Sequence, residues 1–292
     1  GKVNGQNLQL KGAGLTLYSR LGDGRAVLRS SIREYLMSEA MHGLGIATSR
    51  ALAIIGSDTD VRREQWEKGA IVLRLSPTWV RFGTFEYFNA SGEHDKLKEL
   101  ADYVIGESFP DLKESEDIYL KMYAQIVKNT ATTIAAWQSV GFNHGVMNTD
   151  NMSLCGETID YGPCAFMDNY DAARVFSSID AQGRYAYGNQ PYMAGWNLAR
   201  FAESLLPLLH EEQEKAIELA QEAIGEFNNL YHIHWFAGMR SKLGLFNEEK
   251  QDEELIENFL SMMQKAKADY TNTFRSLTLN QLEDADLFSS DE

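Results

Sequence analysis

HGVMNTDNMSLCGETIDYG, residues His144 to Gly162, is the stretch whose reading decides the fold. Its frame is a His, six residues, an Asn at 151, and then Asp160-Tyr161-Gly162. Magnesium prefers hard oxygen ligands and keeps several waters, so one carboxylate and one amide oxygen can complete its shell together with phosphate oxygens. Asp160 and Asn151 supply that pair. Either residue alone in a turn would be ordinary turn chemistry; their joint spacing with His144 and Gly162 is what overrides that reading.

The same frame occurs in the protein-kinase signature H-R-D-x-x-x-x-N followed by D-F-G, where the first Asp is the base and the Asn and second Asp hold magnesium. Here Val146 fills the position of the catalytic Asp. A valine neither accepts a proton nor binds a metal, so ordinary kinase chemistry does not follow. The nearest carboxylate is Asp150, directly before Asn151. It is either the group that takes a proton from an incoming hydroxyl or a residue that orients the loop.

Working outward, the first ninety residues mix strand and helix signals. Asn7 to Lys11 alternates like a short strand that ends at Gly12-Ala13-Gly14, and Leu28 to Gly43 places Ile32, Tyr35, Leu36 and Met41 broadly on one helical face. Strand-like apolar runs follow at Ala51 to Ile55 and Ala70 to Leu75. Beyond Glu93 the period is helical, over about 94–106, 116–139, 190–209, 211–245 and 252–276. One β-like stretch, Met152 to Asp160 with a turn at Cys155-Gly156-Glu157, interrupts it and is expected to form a metal-binding hairpin. The expected architecture is α+β and protein-kinase-like: a β-rich N-lobe with one helix over 1–90, partly truncated, a helical C-lobe over 91–281, and a loose acidic tail over 282–292.

The 292 residues suffice for two lobes with their own cores, and no run approaches the ~20 apolar residues that cross a bilayer. A net charge of −15 argues against nucleic acid as a partner, since phosphate backbones attract clustered Lys and Arg. Two cysteines, Cys155 and Cys164, lack zinc spacing and suggest no disulfide framework, which fits a cytoplasmic compartment. The chain opens at Gly1 without a Met and runs directly into strand-like sequence, as the interior of a domain does.

Four further charged residues and one turn carry chemistry. Lys11 on a strand and Glu34 on the following helix match the ion pair that holds a phosphate-binding ammonium in place; by spacing alone they would be two solvated charges. The Gly22-Asp23-Gly24 turn offers exposed backbone amides near that Lys, although a short GDG is equally a plain turn. Arg74 and Arg81 flank a strand-turn near Trp79 and are either a clamp for terminal phosphates or surface ion pairs with nearby Glu.

Longer motifs add a resemblance. QLKGAG at Gln9 to Gly14, GDGRAVLRSSIREYL at Gly22 to Leu36, HGVMNTDNMS at His144 to Ser153, TIDYGP at Thr158 to Pro163, QGRYAYGNQP at Gln182 to Pro191 and TNTFRSL at Thr271 to Leu277 are similar to the selenoprotein O, or YdiU, family of protein adenylyltransferases with a pseudokinase fold. That resemblance implies ATP bound in a flipped orientation and Mg2+ or Mn2+ as cofactor. It further implies AMP transfer to Ser, Thr or Tyr hydroxyls of other proteins with release of pyrophosphate, and a mitochondrial location in a eukaryote. By position it implies that Lys11 and Glu34 pair, that Asp23 and Gly24 touch the nucleotide, and that Arg74 and Arg81 hold the γ-phosphate. Asp150 is then the proton acceptor, and Asn151 and Asp160 bind the metal, with Asp160 and Lys11 both part of the nucleotide site. The family's upstream glycine-rich segment would lie before Gly1, and its C-terminal region beyond Glu292. Two rival readings stand beside this one: a γ-phosphoryl kinase that uses Asp150 as a relocated base, and an inactive nucleotide-binding scaffold.

Overall fold

The computed structural model describes residues 1–16, 19 and 22–280. The expected acidic tail over 282–292 lies outside them, as does Leu21 beside the Gly22-Asp23-Gly24 turn. The fold is α+β. Strands β1 (Lys2–Val3), β2 (Gln6–Lys11), β3 (Ala26–Val27), β4 (Arg50–Arg62) and β5 (Trp66–Ser76) form one antiparallel sheet. In it β5 is the central strand. Residues 72–76 of β5 pair with β2 and residues 69–70 with β3, while β4 pairs along its whole length.

This register assembles charge on one face. Gln9 lies opposite Arg74 and Lys11 opposite Val72. Side chains alternate along a strand and directly opposed residues share a face, so Gln9, Lys11, Val72 and Arg74 all point the same way. Helix α1 (Leu28–Gly43) covers the sheet with Ser31, Glu34, Ser38 and Met41 buried. The face turned inward is therefore mostly not the apolar one expected from sequence: Ile32 and Leu36 are 44% and 62% exposed, and of the four apolar positions only Met41 is buried. Glu34 fixes the rotation of the helix, because a carboxylate can be buried only against the cations it pairs with.

A second helix within the first ninety residues, α2 (Phe82–Ala90), was not expected from sequence. It packs on α5 (Gln190–Leu209), where the ring of Phe82 stacks on Phe201 at 4.7 Å and Phe85 meets Phe201 edge-on at 5.1 Å. Helices α3 (His94–Ser108), α4 (Ile118–Ser139) and α6 (Gln213–Leu243) fall close to the expected bounds, and α4 packs against both α5 and α6. The expected helix over 252–276 is two helices, α7 (Asp252–Ala266) and α8 (Tyr270–Leu279). Lys267 turns the chain at φ +50°, and the Asp269 carboxylate accepts from Asn272 N at 2.7 Å to start the second helix.

The expected hairpin over Met152 to Asp160 does not form. Strands β6 (Phe142–Asn143) and β7 (Ala165–Phe166) instead close the base of a long loop. Within the loop, the backbone of 152–158 bonds to other parts of the chain: Phe82 N donates to Met152 O, Leu154 N to Val80 O, and Thr158 N to Ala47 O. Those groups are satisfied by residues 47–49 and 80–82, which leaves nothing for a hairpin partner to supply. Among the described residues no helix is long and apolar enough to cross a membrane.

Candidate functional site

Asp160 is the hub of a network that joins the sheet, α1 and the long loop. Its Oδ1 lies 2.7 Å from Lys11 Nζ and 2.6 Å from Arg74 Nη1, and its Oδ2 lies 2.6 Å from Arg81 Nη1. Glu34 is the second anion: its Oε2 is 2.7 Å from Lys11 and its Oε1 is 2.7 Å from Arg74. Five residues singled out from sequence thus meet in one place. Three cations face two carboxylates, so the cluster carries a local positive excess in a chain of net charge −15.

The charge state of the hub follows from this packing. Burial pushes the Asp160 carboxyl up, but the charges of Lys11, Arg74 and Arg81 outweigh it and hold the group well below the usual carboxylate range. Its backbone is left-handed at φ +57°, a conformation that Asp tolerates better than most residues.

Arg74 is the most enclosed member, with 3% of its side chain exposed. It also donates to Gln9 Oε1 and lies over the Trp79 ring at 4.4 Å. Burial opposes its charge, and Asp160 and Glu34 restore it. Its Nε is buried without a hydrogen-bond partner among the described residues. The expected alternative of a surface ion pair does not describe it: the pair with Glu34 is an interior one. Arg81 is more open, 21% exposed, and also donates to the backbone carbonyl of Asp150 at 2.7 Å. That bond ties the Asp150-Asn151 turn to the Asp160 cluster.

Asp150 and Asn151 lie in a short 3-10 turn, Thr149–Asn151. The Asn151 amide donates to Val146 O at 2.9 Å, which turns its nitrogen toward the loop and its oxygen away from that carbonyl. The carboxylate of Asp150 lies against Gly83, where an added Cβ would come 2.3 Å from Oδ1; glycine at this place in α2 leaves the room. His144 is buried, and burial pushes its pKa down. Because Ile159 O, 2.8 Å from Nε2, can only accept, Nε2 carries the proton, while Val146 N donates to Nδ1 at 3.4 Å. The neutral ring therefore braces the Val146 end of the loop against the approach to Asp160.

Asp23 and Gly24 stand apart. Asp23 takes a bidentate Arg63 guanidinium at 2.8 and 3.1 Å from the turn between β4 and β5, which draws its carboxyl down to about 2. Gly24, at φ +65°, packs its Cα so close to Gly14 that a Cβ would meet Gly14 O at 2.1 Å. Neither bonds to the Asp160 cluster among the described residues.

Several contributors were not read from sequence. Gln9 is two residues before Lys11 on the same strand face, and that period was the available signal. Arg33 donates to Gly162 O at 2.8 Å and links α1 to the Asp160 turn. Gln190 accepts from His144 N and donates to Phe142 O, both at 2.9 Å, and Asn197 donates to Met147 O at 2.9 Å. Large amide side chains among the buried apolar residues of α5 could have marked them.

The donor set fits a divalent cation shared with a phosphate. A carboxylate offers about four lone-pair positions, and three are used at Asp160. Among the described residues no cluster of three or more His, Cys, Asp or Glu could hold a metal by itself, so further ligands would have to come from phosphate and water.

The family model described as "Protein adenylyltransferase SelO" matches residues 2–290. The chain belongs to the SelO family. Among relatives, the "Protein nucleotidyltransferase YdiU" of Alkaliphilus metalliredigens (strain QYMF) is 59% identical over 286 residues, which is 98% of this chain and 58% of that protein. The proteins of the same description from Brevibacillus brevis (strain 47 / JCM 6285 / NBRC 100599) and Bacillus cereus (strain AH187) are 57% and 56% identical over 98% of this chain, covering 58% and 59% of theirs. This SelO-family chain thus spans somewhat under three-fifths of the length of those relatives. Membership of the SelO family agrees with the resemblance read from its motifs.

Proposed function

We propose that this chain is the nucleotide-binding body of a protein adenylyltransferase with a kinase-like two-lobed fold, transferring AMP from ATP to Ser, Thr or Tyr hydroxyls of proteins. The observation that carries the reading is the Asp160 carboxylate, held ionised by Lys11, Arg74 and Arg81 next to the Asp150-Asn151 turn. A family membership with a nucleotidyltransferase description supports it.

In this reading Asn151 and Asp160 hold Mg2+, which when bound neutralises phosphate charge. Lys11, fixed by Glu34, grips a phosphate oxygen. Arg81 and Arg74 hold the β- and γ-phosphates by charge-assisted hydrogen bonds that strengthen as charge builds on the leaving pyrophosphate. Engaging Arg74 requires it to exchange part of its contact with Asp160 or Glu34 for phosphate, and its partnerless Nε is the donor already in hand. In the same reading Asp23 and Gly24 contribute further nucleotide contacts.

The acceptor hydroxyl passes its proton to the Asp150 carboxylate while its oxygen attacks the α-phosphorus. The bond from that phosphorus to the α,β-bridging oxygen breaks, and pyrophosphate leaves with the electron pair. Asp150 replaces the base that Val146 cannot be.

Product analysis tests this directly. With Mg2+, ATP and a protein acceptor, the reading expects pyrophosphate to appear in step with modified acceptor. ADP as the product would establish the kinase rival, and intact ATP with tight binding would establish the scaffold.

A further inference from the structure

Helix α5 holds the backbone of the loop from its inner face through Gln190 and Asn197. Its outer face carries Tyr192, Trp196 and Arg200, four residues apart and therefore on one stripe. Tyr192 is 73% exposed and Trp196 37%. Two guanidinium groups lie over the Trp196 ring, Arg184 at 4.6 Å and Arg200 at 5.5 Å. Arg184 is exposed and has no acidic partner among the described residues, since Asp180 beside it spends its oxygens on the backbone N–H groups of Arg184 and Tyr185 at 2.9 and 2.7 Å. Arg200 is paired with Glu203, yet its Nε is buried without a partner.

We propose that Arg184, Trp196, Arg200 and Tyr192 form a docking surface for a short acidic polypeptide segment, which, on the transfer reading above, belongs to the acceptor protein. The indole holds the guanidinium planes in place before any partner arrives, so less side-chain freedom is lost on binding. A carboxylate-bearing segment gains charge-assisted contacts from Arg184, and an aromatic or aliphatic neighbour covers Tyr192. Charge selects a short segment rather than nucleic acid. Glu211, Glu212, Glu214 and Glu218, just before and within the first turns of α6, are exposed and the chain carries −15 overall, so a continuous polyanion would meet like charge beyond the patch. The ring of Trp196, already under guanidinium groups, offers little face for a base.

Fluorescence anisotropy without nucleotide tests this. The probe is a labelled peptide of Asp, Glu and Gly with one Tyr; the comparisons are its Lys-for-acid counterpart and a single-stranded oligonucleotide of equal charge. The acidic peptide is expected to bind, to weaken as salt rises, and to lose at least ~10-fold in affinity in Arg184→Glu, with a smaller loss in Arg184→Gln. Unchanged thermal unfolding of both variants keeps the comparison one of binding. Equal binding by wild type and Arg184→Glu, no preference over the Lys peptide, or tighter binding of the oligonucleotide would overturn the proposal. Because no ATP is present, such a failure leaves the transfer reading standing, and a failure of transfer leaves the peptide result standing.

Discussion

Arg74 Nη1 lies 2.6 Å from Asp160 Oδ1 and 2.7 Å from Glu34 Oε1, with 3% of the arginine side chain exposed. The Asp160 turn, the helix α1 and the sheet are therefore joined through one buried guanidinium. Removing either partner of such a pair strands a charge that water cannot reach, so these residues are expected to matter for stability as well as for nucleotide binding.

Asp160→Ala leaves Lys11, Arg74 and Arg81 with Glu34 as the one remaining carboxylate of the cluster. The expected cost is about 3 kcal/mol, the low end for breaking a buried pair because Glu34 retains two of the cations. Urea unfolding measures it, and calorimetry should show Mg-ATP binding lost in the same variant. Unchanged stability together with unchanged Mg-ATP affinity would remove Asp160 from the centre of the site.

The two arginines should separate. Arg74→Ala is expected to destabilise by about 3–5 kcal/mol, since it removes the interior cation between two carboxylates. Arg81→Ala, on a more open side chain, should cost about 1 kcal/mol while lowering AMP transfer at least ~10²-fold, the scale of one lost transition-state charge contact. ATP should bind wild type more tightly than ADP, and the double variant should bind the two alike. A double variant that still prefers ATP as strongly as wild type would show that neither arginine holds the terminal phosphates.

Gly83→Ala probes Asp150 without touching it. The new Cβ would fall 2.3 Å from Oδ1, so the carboxylate must move while the α2 backbone stays helical. Transfer is expected to drop ~10-fold or more from a displacement near 1 Å, with Mg-ATP affinity unchanged. Full activity in Gly83→Ala would argue that Asp150 is not the proton acceptor.

How much of this was legible in the sequence differs by residue. The Asn151-Asp160-Gly162 spacing located the metal-binding candidates because loop geometry is written in consecutive residues. Lys11 and Glu34 were visible as strand and helix charges, since the bounds of β2 and α1 follow from local periodicity. The orientation of α1 was not legible: its apolar residues Ile32 and Leu36 face out, and only the tertiary pairing of Glu34 reveals why. The missing hairpin has a similar cause, for residues 152–158 bond to 47–49 and 80–82, partners too distant in sequence for any local signal. Arg33 and Gln9 were missed because their partners, the Gly162 carbonyl and Arg74, are set by long-range register.

Glu157 gives a pH-dependent test. Ser76 Oγ, which also lies 2.7 Å from Thr78 O, donates to Glu157 Oε2 at 2.5 Å. That bond favours the ionised form, but burial outweighs it and raises the carboxyl to about 7. A folded pKa above the unfolded one gives stability that is full below about pH 4 and is lost as pH rises through about 7. Relative to Glu157→Gln, wild type should lose up to ~3 kcal/mol between pH 5 and 8. Parallel stability curves for the two proteins over that range would show that Glu157 is ionised in the fold.

Adenylyl transfer requires attack on the α-phosphorus, not the γ-phosphorus. Incubating the protein with Mg2+, a protein acceptor and ATP labelled at either position decides it. Label is expected on the acceptor from α-labelled ATP and none from γ-labelled ATP, with both signals absent in Asp160→Ala. Label from the γ position would contradict it and make the chain a kinase.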